Sequence, residues 1–228
     1  MYLKRWEKLP LEMQTPEVRV YYDVLRKKRA ALAAKRVFDV VVAAVMLIVL
    51  SPIFLILAIA IKLDSAGPVF YRQIRVTQYN KRFCIFKFRS MTQGADKGSL
   101  VTVSGDARVT RVGALIRKCR LDEIPQLIDV LRGTMSFVGT RPEVPRYVER
   151  YTPEMMATLL LPAGVTSLAS IRYKDEAELL DLAEDVEQTY VDVVLPAKMR
   201  YNLESLKMFG FWSDVKTMLL TVWAVLWK

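Results

Sequence analysis

The sequence predicts an α+β protein that is membrane-associated and monotopic, held in one leaflet by a re-entrant, kinked helix hairpin. Three observations predict this fold. An uncharged run of 22 residues, 40–61, is interrupted near its centre by Ser51-Pro52. Two short segments rich in aromatic and β-branched residues follow at 69–73 and 83–89, and they predict a small β-hairpin. Segments with helical periodicity, some of them amphipathic and interfacial, occupy much of the remaining chain.

Length and composition limit the class of protein. The chain has 228 residues, which suits one domain of ordinary size with attached segments. A hydrophobic content of 53% excludes an intrinsically disordered chain, because enough apolar surface is available to offset chain entropy. The net charge of +10 is concentrated at 1–36 and 62–120, whereas 175–192 contains acids and no base. Such a basic excess favours an anionic partner: a phosphate ester, an anionic lipid or a nucleic acid.

The absence of histidine removes several kinds of chemistry. It excludes Ser-His and Cys-His catalysis and zinc sites with histidine ligands. Cys84 and Cys119 form no metal-binding motif, and we expect two buried thiols, with a disulfide as the alternative. Any bound metal must therefore be held by carboxylates and carbonyls, which are ligands typical of Mg²⁺ or Mn²⁺.

Charge and hydropathy divide the chain into four segments. Residues 1–36 are predicted to form a basic segment at the membrane surface, with one helix over 16–36. Residues 37–63 form the membrane hairpin, and 64–208 form a cytoplasmic domain. Residues 209–228 contain three of the four tryptophans and predict an interfacial helix, with a helix of the protein core as the alternative.

The hairpin is predicted from the proline and from the flanking charges. A straight helix of this length would be ~33 Å long, enough to cross the hydrocarbon core. Pro52 lacks a backbone donor and clashes with the carbonyl four residues before it, so Ser51 and Pro52 mark a kink. Basic residues lie on both sides of the run, and both ends therefore favour the cytoplasmic side. Each arm then reaches ~15 Å into the leaflet. A single span and a buried core helix are the alternatives.

The middle of the chain contains two helix predictions. Over 110–120, an apolar stripe at helical spacing predicts a helix whose buried face is formed by Val112, Leu115, Ile116 and Cys119. A second helix is expected from Asp122 as N-cap to residue 132, with Pro125 in its first turn and Gly133 as its stop. A strand is predicted over 134–138, a turn after it, and an acidic, solvated helix over 175–192.

Asp122 and Glu123 are the candidate reactive groups. They follow several basic residues, and Arg141 lies beyond the next helix and strand. One interpretation is structural, in which Asp122 caps a helix and Glu123 interacts with its dipole. The other is chemical, because a helix start attracts a phosphate and a carboxylate there is placed to act as a nucleophile. A neighbouring carboxylate is suited to a hard divalent cation.

Several motifs, in order along about half of the chain, resemble one family. They are KRVFDVVVA, the Ser-Pro of the apolar run, IKLDSAGPVFYRQIRV, FCIFKFRSM, DARVTRVGALIRKCRLDEIPQL and GTMSFVGTRPEVP. Together they are similar to the bacterial sugar transferases, the monotopic phosphoglycosyl transferases. The resemblance implies transfer of a sugar-1-phosphate from a nucleotide (UDP) diphosphosugar to polyprenyl (undecaprenyl) phosphate, which initiates lipid-linked glycan synthesis. It also implies a location at the cytoplasmic face of the bacterial inner membrane.

The resemblance assigns roles to particular residues. It implies that Asp122 attacks the sugar-bearing phosphate and carries the phosphosugar covalently before polyprenyl phosphate displaces it. Glu123 is expected to bind Mg²⁺, or Mn²⁺, and Arg141 to clamp a phosphate. Three further cations are expected to contact the phosphates or to hold the two carboxylates, with a solvated role as the alternative: Lys87, Arg89 and Arg108.

Two rival functions remain at this stage. One is a membrane-tethered nucleic-acid-binding protein, suggested by the basic block at 62–120. No helix-turn-helix or zinc-finger signature supports it, and we expect no nucleic-acid partner. The other is an inactive membrane adaptor that takes part in glycan assembly.

Overall fold

A computed structural model describes residues 3–95, 106–173 and 176–226 of the chain. The described part combines helices with two small β-sheets, which confirms the predicted α+β class. The helices are α1 (Pro16–Arg26), α2 (Arg29–Val49), α3 (Ser51–Asp64), α4 (Arg111–Lys118), α5 (Gln126–Arg132), α6 (Pro145–Val148), α7 (Leu168–Arg172), α8 (Glu176–Asp181), α9 (Val186–Thr189), α10 (Leu195–Lys207) and α11 (Phe211–Leu226). The strands are β1 (Phe70–Thr77), β2 (Lys81–Phe88), β3 (Met135–Val138) and β4 (Ala163–Thr166).

Strands β1 and β2 form the predicted hairpin. They are antiparallel, with Phe70 opposite Phe88, and each is longer than the segment predicted for it. The connection Gln78–Asn80 turns sharply because Tyr79 and Asn80 both have positive φ, at 59° and 56°. Asparagine tolerates this region better than most residues. The hairpin is therefore confirmed, and one of its faces lines the site described below.

Strands β3 and β4 form a parallel pair that is joined to the hairpin. The pairing places Met135 opposite Ala163 and confirms the strand predicted over 134–138. The hydroxyl of Thr77 in β1 donates to the carbonyl of Thr134 at 2.6 Å and accepts from the Ala163 amide at 3.1 Å. Strand β4 has no counterpart among the predicted elements, because four residues that include Gly164 carry almost no alternating signal.

Replacing Gly164 by alanine is expected to destabilise this second sheet. A Cβ atom at Gly164 would lie 2.2 Å from the Gly139 nitrogen and 2.3 Å from its carbonyl oxygen, so the backbones would have to separate. We expect a loss of about 1–3 kcal/mol in the free energy of unfolding, typical of an overpacked core. Chemical denaturation measures it. Gly210→Ala is the control, since only one atom lies near that position, at 3.9 Å. Equal unfolding free energies for the two variants would contradict the close packing.

Helices α2 and α3 meet at the predicted kink. No single helix among the described residues is long and apolar enough to cross a membrane, and the pair meets the criterion only when taken together across a 61° bend. The Ile48 carbonyl, left without a normal helical donor by Pro52, accepts a hydrogen bond from the Ser51 hydroxyl at 2.7 Å. Ser51 and Pro52 therefore mark the break, as predicted. Because the chain bends by only 61°, the angle between the two arms is obtuse and they form an open V.

The prediction of a single amino-terminal helix over 16–36 is wrong, because the chain forms two helices there. Helix α1 ends at Arg26, and α2 begins at Arg29 and continues past the predicted segment boundary at residues 36 and 37. The apolar face of α1 is occupied by the protein itself, since it packs against the 3-10 helix Met155–Leu160 and against α10. Burial of four side chains fixes α1 in the body: Val18, Tyr21, Tyr22 and Leu25.

Helix α4 confirms one prediction and corrects another. Thr110 caps it by accepting from the Gly113 amide at 3.0 Å. Val112 and Ile116 pack in the core, but Leu115 is 62% exposed and Cys119 is exposed as well. The predicted buried stripe is therefore wrong at two of its positions, because the apolar cluster under this two-turn helix covers Val112 and Ile116 but not Leu115 or Cys119. Both cysteines are free thiols, and Cys84 is half-buried.

The segments before α5 and before α10 also differ from prediction. Asp122 does not cap α5: it lies in a separate 3-10 turn, Leu121–Glu123, and α5 begins only after Pro125. Gly133 ends α5 with φ 82°, as predicted. The acidic helix predicted over 175–192 is replaced by α8, α9 and a π-helical turn, because Leu180 and Tyr190 are drawn into the core.

Helix α11 confirms the predicted carboxy-terminal helix and docks on α2. Asp214 pairs with the buried Lys35 at 2.6 Å, and the rings of Phe211 and Phe38 meet edge to face at 5.5 Å. Much of its apolar surface remains exposed: Trp212, Leu219, Val222 and Trp223. The predicted contribution of Trp227 lies outside the described residues.

Candidate active site

A short turn brings the two candidate carboxylates to the face of the β-hairpin. Asp122 and Glu123 lie in the 3-10 turn between α4 and α5. Arg120 precedes the turn with φ 56°, a left-handed conformation that is uncommon for a residue with a side chain. It reverses the chain after α4, and Pro125 then starts the next helix. The turn packs against β2, which places both acids beside Lys87.

Glu123 is held by two cations from distant parts of the chain. The guanidinium of Arg141 donates to both of its carboxylate oxygens, with Nη1 at 3.3 Å from Oε2 and Nη2 paired with Oε1. The ammonium of Lys87 lies 3.4 Å from Oε1. The Glu123 side chain is 12% exposed and that of Arg141 is 31% exposed, so the pair is largely shielded but open on the side of Arg141. We call Lys87, Asp122, Glu123 and Arg141 the site cluster.

Asp122 differs from Glu123 in having no fixed partner. Among the described residues no side chain hydrogen-bonds or ion-pairs with its carboxylate, although Lys87, Arg117 and Arg141 act on it electrostatically. Burial and the adjacent charge of Glu123 raise the pKa of Asp122, against the opposing effect of these cations. Asp122 is therefore a half-buried carboxylate beside positive charge and free to react.

The charges in the cluster shift the other groups in the expected directions. Burial alone would raise the pKa of Glu123, but Arg141 and then Lys87 outweigh it and hold that pKa well below its ordinary value. Burial lowers the pKa of Lys87, and Glu123 opposes that shift. Glu123 raises the pKa of Arg141. The three groups thus form a charged network in which Glu123 neutralises the cations and Asp122 remains unpaired.

Arg89 is placed away from the cluster. Its guanidinium is buried and donates to the carbonyls of Ala66 at 2.8 Å and Ser65 at 2.6 Å, and also to that of Ile61. These carbonyls lie at the end of α3, where helical partners are missing. Arg89 is therefore not a solvated cation. Its predicted contact with a phosphate stays a prediction, and its hydrogen bonds favour a structural role at the end of α3.

Arg108 is also outside the cluster. Its guanidinium forks onto the carboxylate of Asp106, with Nη2 to Oδ2 at 2.6 Å, and donates to the Ala95 carbonyl at 2.7 Å. These contacts hold the loop before α4. Its predicted phosphate contact likewise stays a prediction. The structure thus brings together four of the six predicted side chains, those of the site cluster.

Two charged residues near the cluster, the half-buried Arg75 and the buried Glu143, have no place in the sequence predictions. Arg141 lies close enough to Arg75 in β1 to lower the pKa of Arg75, and Glu143, two residues after Arg141, raises the pKa of both arginines. The strand register could have revealed Arg75, because residues 71, 73 and 75 share the hairpin face that carries Lys87. No local signal marks Glu143 as buried.

The donor set for a metal is small. The described residues contain no group of three or more acidic or cysteine side chains placed to hold a metal ion. Mg²⁺ is commonly held by one or two carboxylates together with substrate phosphates and water. Asp122 and Glu123 are adjacent hard-oxygen donors, and they fit a metal of that shared kind rather than one held by protein ligands alone.

Comparison with known proteins relates the chain to one group of enzymes. The family described as bacterial sugar transferase matches residues 30–228. A UDP-N-acetylgalactosamine-undecaprenyl-phosphate N-acetylgalactosaminephosphotransferase of Aeromonas hydrophila is 35% identical over 196 residues, 84% of this chain and 43% of that protein. A UDP-glucose:undecaprenyl-phosphate glucose-1-phosphate transferase of Escherichia coli K12 is 35% identical over 193 residues, 82% of this chain and 39% of that protein.

A shorter relative aligns over more of its own length. A UDP-glucose:undecaprenyl-phosphate glucose-1-phosphate transferase of Caulobacter vibrioides is 36% identical over 192 residues, 82% of this chain and 68% of that protein. The chain thus spans 43% and 39% of the two longer relatives. The matched region contains the kink between α2 and α3, both β-sheets and the site cluster.

Proposed function

The chain belongs to the bacterial sugar transferase family, and from this membership and its site cluster we propose that it transfers a sugar-1-phosphate from a UDP-sugar to polyprenyl (undecaprenyl) phosphate. The relatives are named for the same class of transfer, with N-acetylgalactosamine or glucose as the sugar. The product would be the first lipid-linked unit of a glycan. The observation that carries the proposal is a free Asp122 beside a Glu123 that is already paired with Arg141 and Lys87.

The reaction follows from the difference between the two carboxylates. In the first step an Asp122 oxygen attacks the phosphorus that bears the sugar, the bond to the bridging oxygen breaks, and uridine monophosphate leaves with that oxygen. In the second step a phosphate oxygen of the polyprenyl acceptor attacks the same phosphorus and releases the Asp122 carboxylate. Glu123 cannot readily take this role, since both of its oxygens are engaged by cations.

The cations of the cluster compensate the negative charge of the donor diphosphate. A diphosphate approaching a carboxylate is repelled unless positive charge lies nearby. Lys87 and Arg141 supply that charge, and Glu123 keeps both side chains in place before substrate arrives. Arg141 retains 31% of its side-chain surface, so its guanidinium is accessible to a phosphate oxygen. Preorganised charge of this kind costs no rearrangement during the reaction.

A divalent cation completes the proposed site. Glu123, together with Asp122 and the donor phosphates, would hold Mg²⁺, with Mn²⁺ as a substitute. When bound, the ion lowers the negative charge on the phosphates and so favours attack by an anion.

The exposed apolar surfaces of α2, α3 and α11 support a location of this chemistry at a membrane. We propose that residues 37–63 enter and leave the cytoplasmic leaflet of the bacterial inner membrane, with 1–36, 64–208 and 209–228 on the cytoplasmic side or at the interface. The outer faces of α2 and α3 are apolar and exposed: Val37, Val41, Val45, Ile48, Val49, Leu55, Ile56, Ile59 and Leu63. If the outer ends of both arms lie at the same height in the membrane, a 61° bend between arms of ~15 Å puts the kink ~8 Å below those ends. The polyprenyl acceptor lies in the same leaflet.

The direct test is the mass of the protein after exposure to donor alone. The full chain in detergent or nanodiscs is incubated with Mg²⁺ and either UDP-N-acetylgalactosamine or UDP-glucose, and its intact mass is measured. We expect an increase by one phosphosugar, release of uridine monophosphate, and loss of the adduct when undecaprenyl phosphate is added. Lipid product without any adduct would overturn the covalent route. Neither adduct nor product would favour an adaptor, and salt-sensitive DNA binding in its place would favour the nucleic-acid rival.

As pH is lowered, adduct formation is expected to be lost at a pH above the ordinary pKa range of aspartate. Asp122 must be ionised to attack, and its pKa is raised by burial and by Glu123, so the rate falls as pH drops through that raised value. Arg117 lowers the pKa of Asp122, and the variant Arg117→Gln should therefore move the acid limb to higher pH. Lys118→Gln, an exposed neighbour, is the control. Identical limbs for wild type and Arg117→Gln would contradict this assignment.

The re-entrant arrangement predicts that both ends of the hairpin face the cytoplasm. Single cysteines at the exposed positions Arg29 and Lys62 are introduced into a chain lacking Cys84 and Cys119. Both should react with a membrane-impermeant maleimide in inverted vesicles and not in intact spheroplasts. A chain that keeps the exposed Cys119 reports the side of the catalytic body. Labelling of the two ends from opposite sides would replace the hairpin with a single span.

A further inference from the structure

Arg75 and the site cluster share one face of the β-hairpin. In the register, Tyr71 pairs with Lys87 and Arg75 pairs with Phe83, so Arg75 lies on the face that carries Lys87. Its strand neighbour Arg72 points to the opposite face, where its guanidinium stacks on Phe86 at 3.5 Å. The two arginines of one strand therefore occupy different environments.

The guanidinium of Arg75 ties the strand to the backbone next to Arg141. Its Nε and Nη2 atoms donate to the Gln73 side-chain oxygen at 2.9 and 2.6 Å, which fixes the plane of the group. Its Nη1 atom donates to the carbonyl of Pro142 at 3.0 Å. Pro142 follows Arg141 directly, so this bond restrains the main chain from which the Arg141 side chain projects.

Glu143 restrains the same segment from the other side. Its carbonyl accepts from the Val76 amide of β1 at 2.9 Å. Its buried carboxylate accepts from the Tyr190 hydroxyl at 2.7 Å, and the ammonium of Lys198 lies 3.9 Å away. Residues 142 and 143 are thereby attached both to the β-hairpin and to α10. The side chain of Arg141, which lies between β3 and these two residues, pairs with Glu123.

Each of the two half-buried arginines, Arg75 and Arg141, has an acidic counterpart. Burial lowers the pKa of Arg75 and Arg141 lowers it further, while Glu143 opposes both effects. Without Glu143, two like charges would be enclosed beside each other with Glu123 as the main compensation, and such an arrangement is costly. The arrangement therefore needs two acids: Glu123 for Arg141, which faces the sugar nucleotide, and Glu143 for Arg75, which does not.

We propose that Arg75 and Glu143 are positioning residues for Arg141, holding residues 142 and 143 so that the Arg141 guanidinium meets both Glu123 and a donor phosphate. The inference rests on the proposed function, in which Arg141 binds that phosphate. In this arrangement Arg75 itself does not touch the sugar nucleotide, because its N–H groups donate hydrogen bonds to Gln73 and Pro142. Loss of Arg75 acts by misplacing Arg141, and a misplacement of ~1 Å can cost about 100-fold in rate.

The test is a double-mutant cycle in single-turnover adduct formation. Wild type, Arg75→Gln, Arg141→Lys and the double variant are mixed with UDP-N-acetylgalactosamine or UDP-glucose, and both amplitude and rate constant are recorded. The amplitude reports the fraction of folded, active protein, and the rate constant reports the site. We expect the rate constant of Arg75→Gln to fall about 10- to 100-fold. We expect the double variant to match Arg141→Lys within about twofold, because both changes remove one interaction.

Matched variants separate positioning from folding. Arg72→Gln removes an arginine from the same strand and should leave the rate constant unchanged. Arg75→Lys keeps the charge but not the fork, and it should lose rate in the same way; it also replaces Arg75→Gln in the cycle if that variant fails to fold. Glu143→Gln should lower the rate constant less than Arg75→Gln, because it removes the counter-charge and keeps the backbone bond.

The outcomes distinguish this inference from the proposed function. If wild type forms no adduct, the proposed function fails and the inference with it. If wild type reacts but Arg75→Gln lowers only the amplitude, Arg75 is merely structural and the inference fails alone. It also fails if the losses in rate constant multiply in the double variant, since Arg75 would then act independently of Arg141.

Discussion

Replacing Asp122 by asparagine will abolish both the covalent adduct and turnover, with a loss in rate on the order of 10⁴-fold or more, as expected when a nucleophile is removed. The amide has the same shape but cannot form the acyl phosphate. The neighbouring network should remain intact, because Asp122 has no hydrogen-bond or ion-pair partner to lose among the described residues. The variant therefore separates chemistry from structure more cleanly than any other change in the cluster.

The measurement combines intact mass with release of uridine monophosphate. Asp23→Asn is the matched control, since Asp23 forms an exposed pair with Arg19 within α1, far along the chain from the site cluster. It should form adduct at the wild-type rate. Unfolding midpoints of the two variants should lie close together. A phosphosugar still attached to Asp122→Asn would show that another residue is the nucleophile.

Replacing Glu123 by glutamine is expected to damage both stability and activity. Glutamine cannot neutralise Arg141 and Lys87, and the two cations would repel each other in a largely enclosed site. Removing one partner of a buried charge pair costs about 3–5 kcal/mol, and we expect the lower end because Arg141 keeps 31% of its surface. The rate of adduct formation should fall at least about 100-fold, with a weaker dependence on Mg²⁺.

The stability loss has a defined pH dependence. The pKa of Glu123 is lowered in the folded protein, so its stabilising effect is complete above the ordinary value of 4.5 and declines as pH falls below it. Unfolding free energies of wild type and Glu123→Gln should therefore converge in acid. Glu187→Gln serves as control, because Glu187 pairs with Arg146 on the surface, at side-chain exposures of 44% and 65%. A Glu123→Gln variant as stable as this control at neutral pH would contradict the role of the pair.

Predictions based on short-range signals agree with the structure. The break at Ser51-Pro52 and the stop at Gly133 each depend on one residue and its nearest turn. The β-hairpin depends on aromatic and β-branched residues in two short segments and on a tight connection that includes Asn80. Such features need no distant partner, which is why they can be recognised in an isolated sequence.

Predictions that depended on what covers a surface were less successful. Cys119 continues the apolar stripe of α4, but in the described part of the chain it is exposed to solvent. The basic segment 16–36 predicts a helix at a membrane surface, yet the apolar face of α1 within that segment is filled by α10 and by the 3-10 helix before β4. The acidic stretch over 175–192 is divided because Tyr190 turns inward to Glu143. Periodicity identifies an apolar face and does not identify its partner.

The sequence by itself determined the chain's class, the kink in its apolar run and the β-hairpin. Through family resemblance it also named Asp122, Glu123, Arg141 and Lys87 as candidate site residues. Only the tertiary structure decided that Glu123 is the paired acid and Asp122 the free one, that Arg89 binds at the end of α3, and that Arg75 donates to the carbonyl of Pro142, next to Arg141. The physical reason is separation along the chain. Glu123 meets Lys87 across 36 residues and Arg141 across 18, and Glu143 meets Tyr190 across 47. Electrostatic partners at such separations leave no local pattern, and burial determines which of them interact strongly.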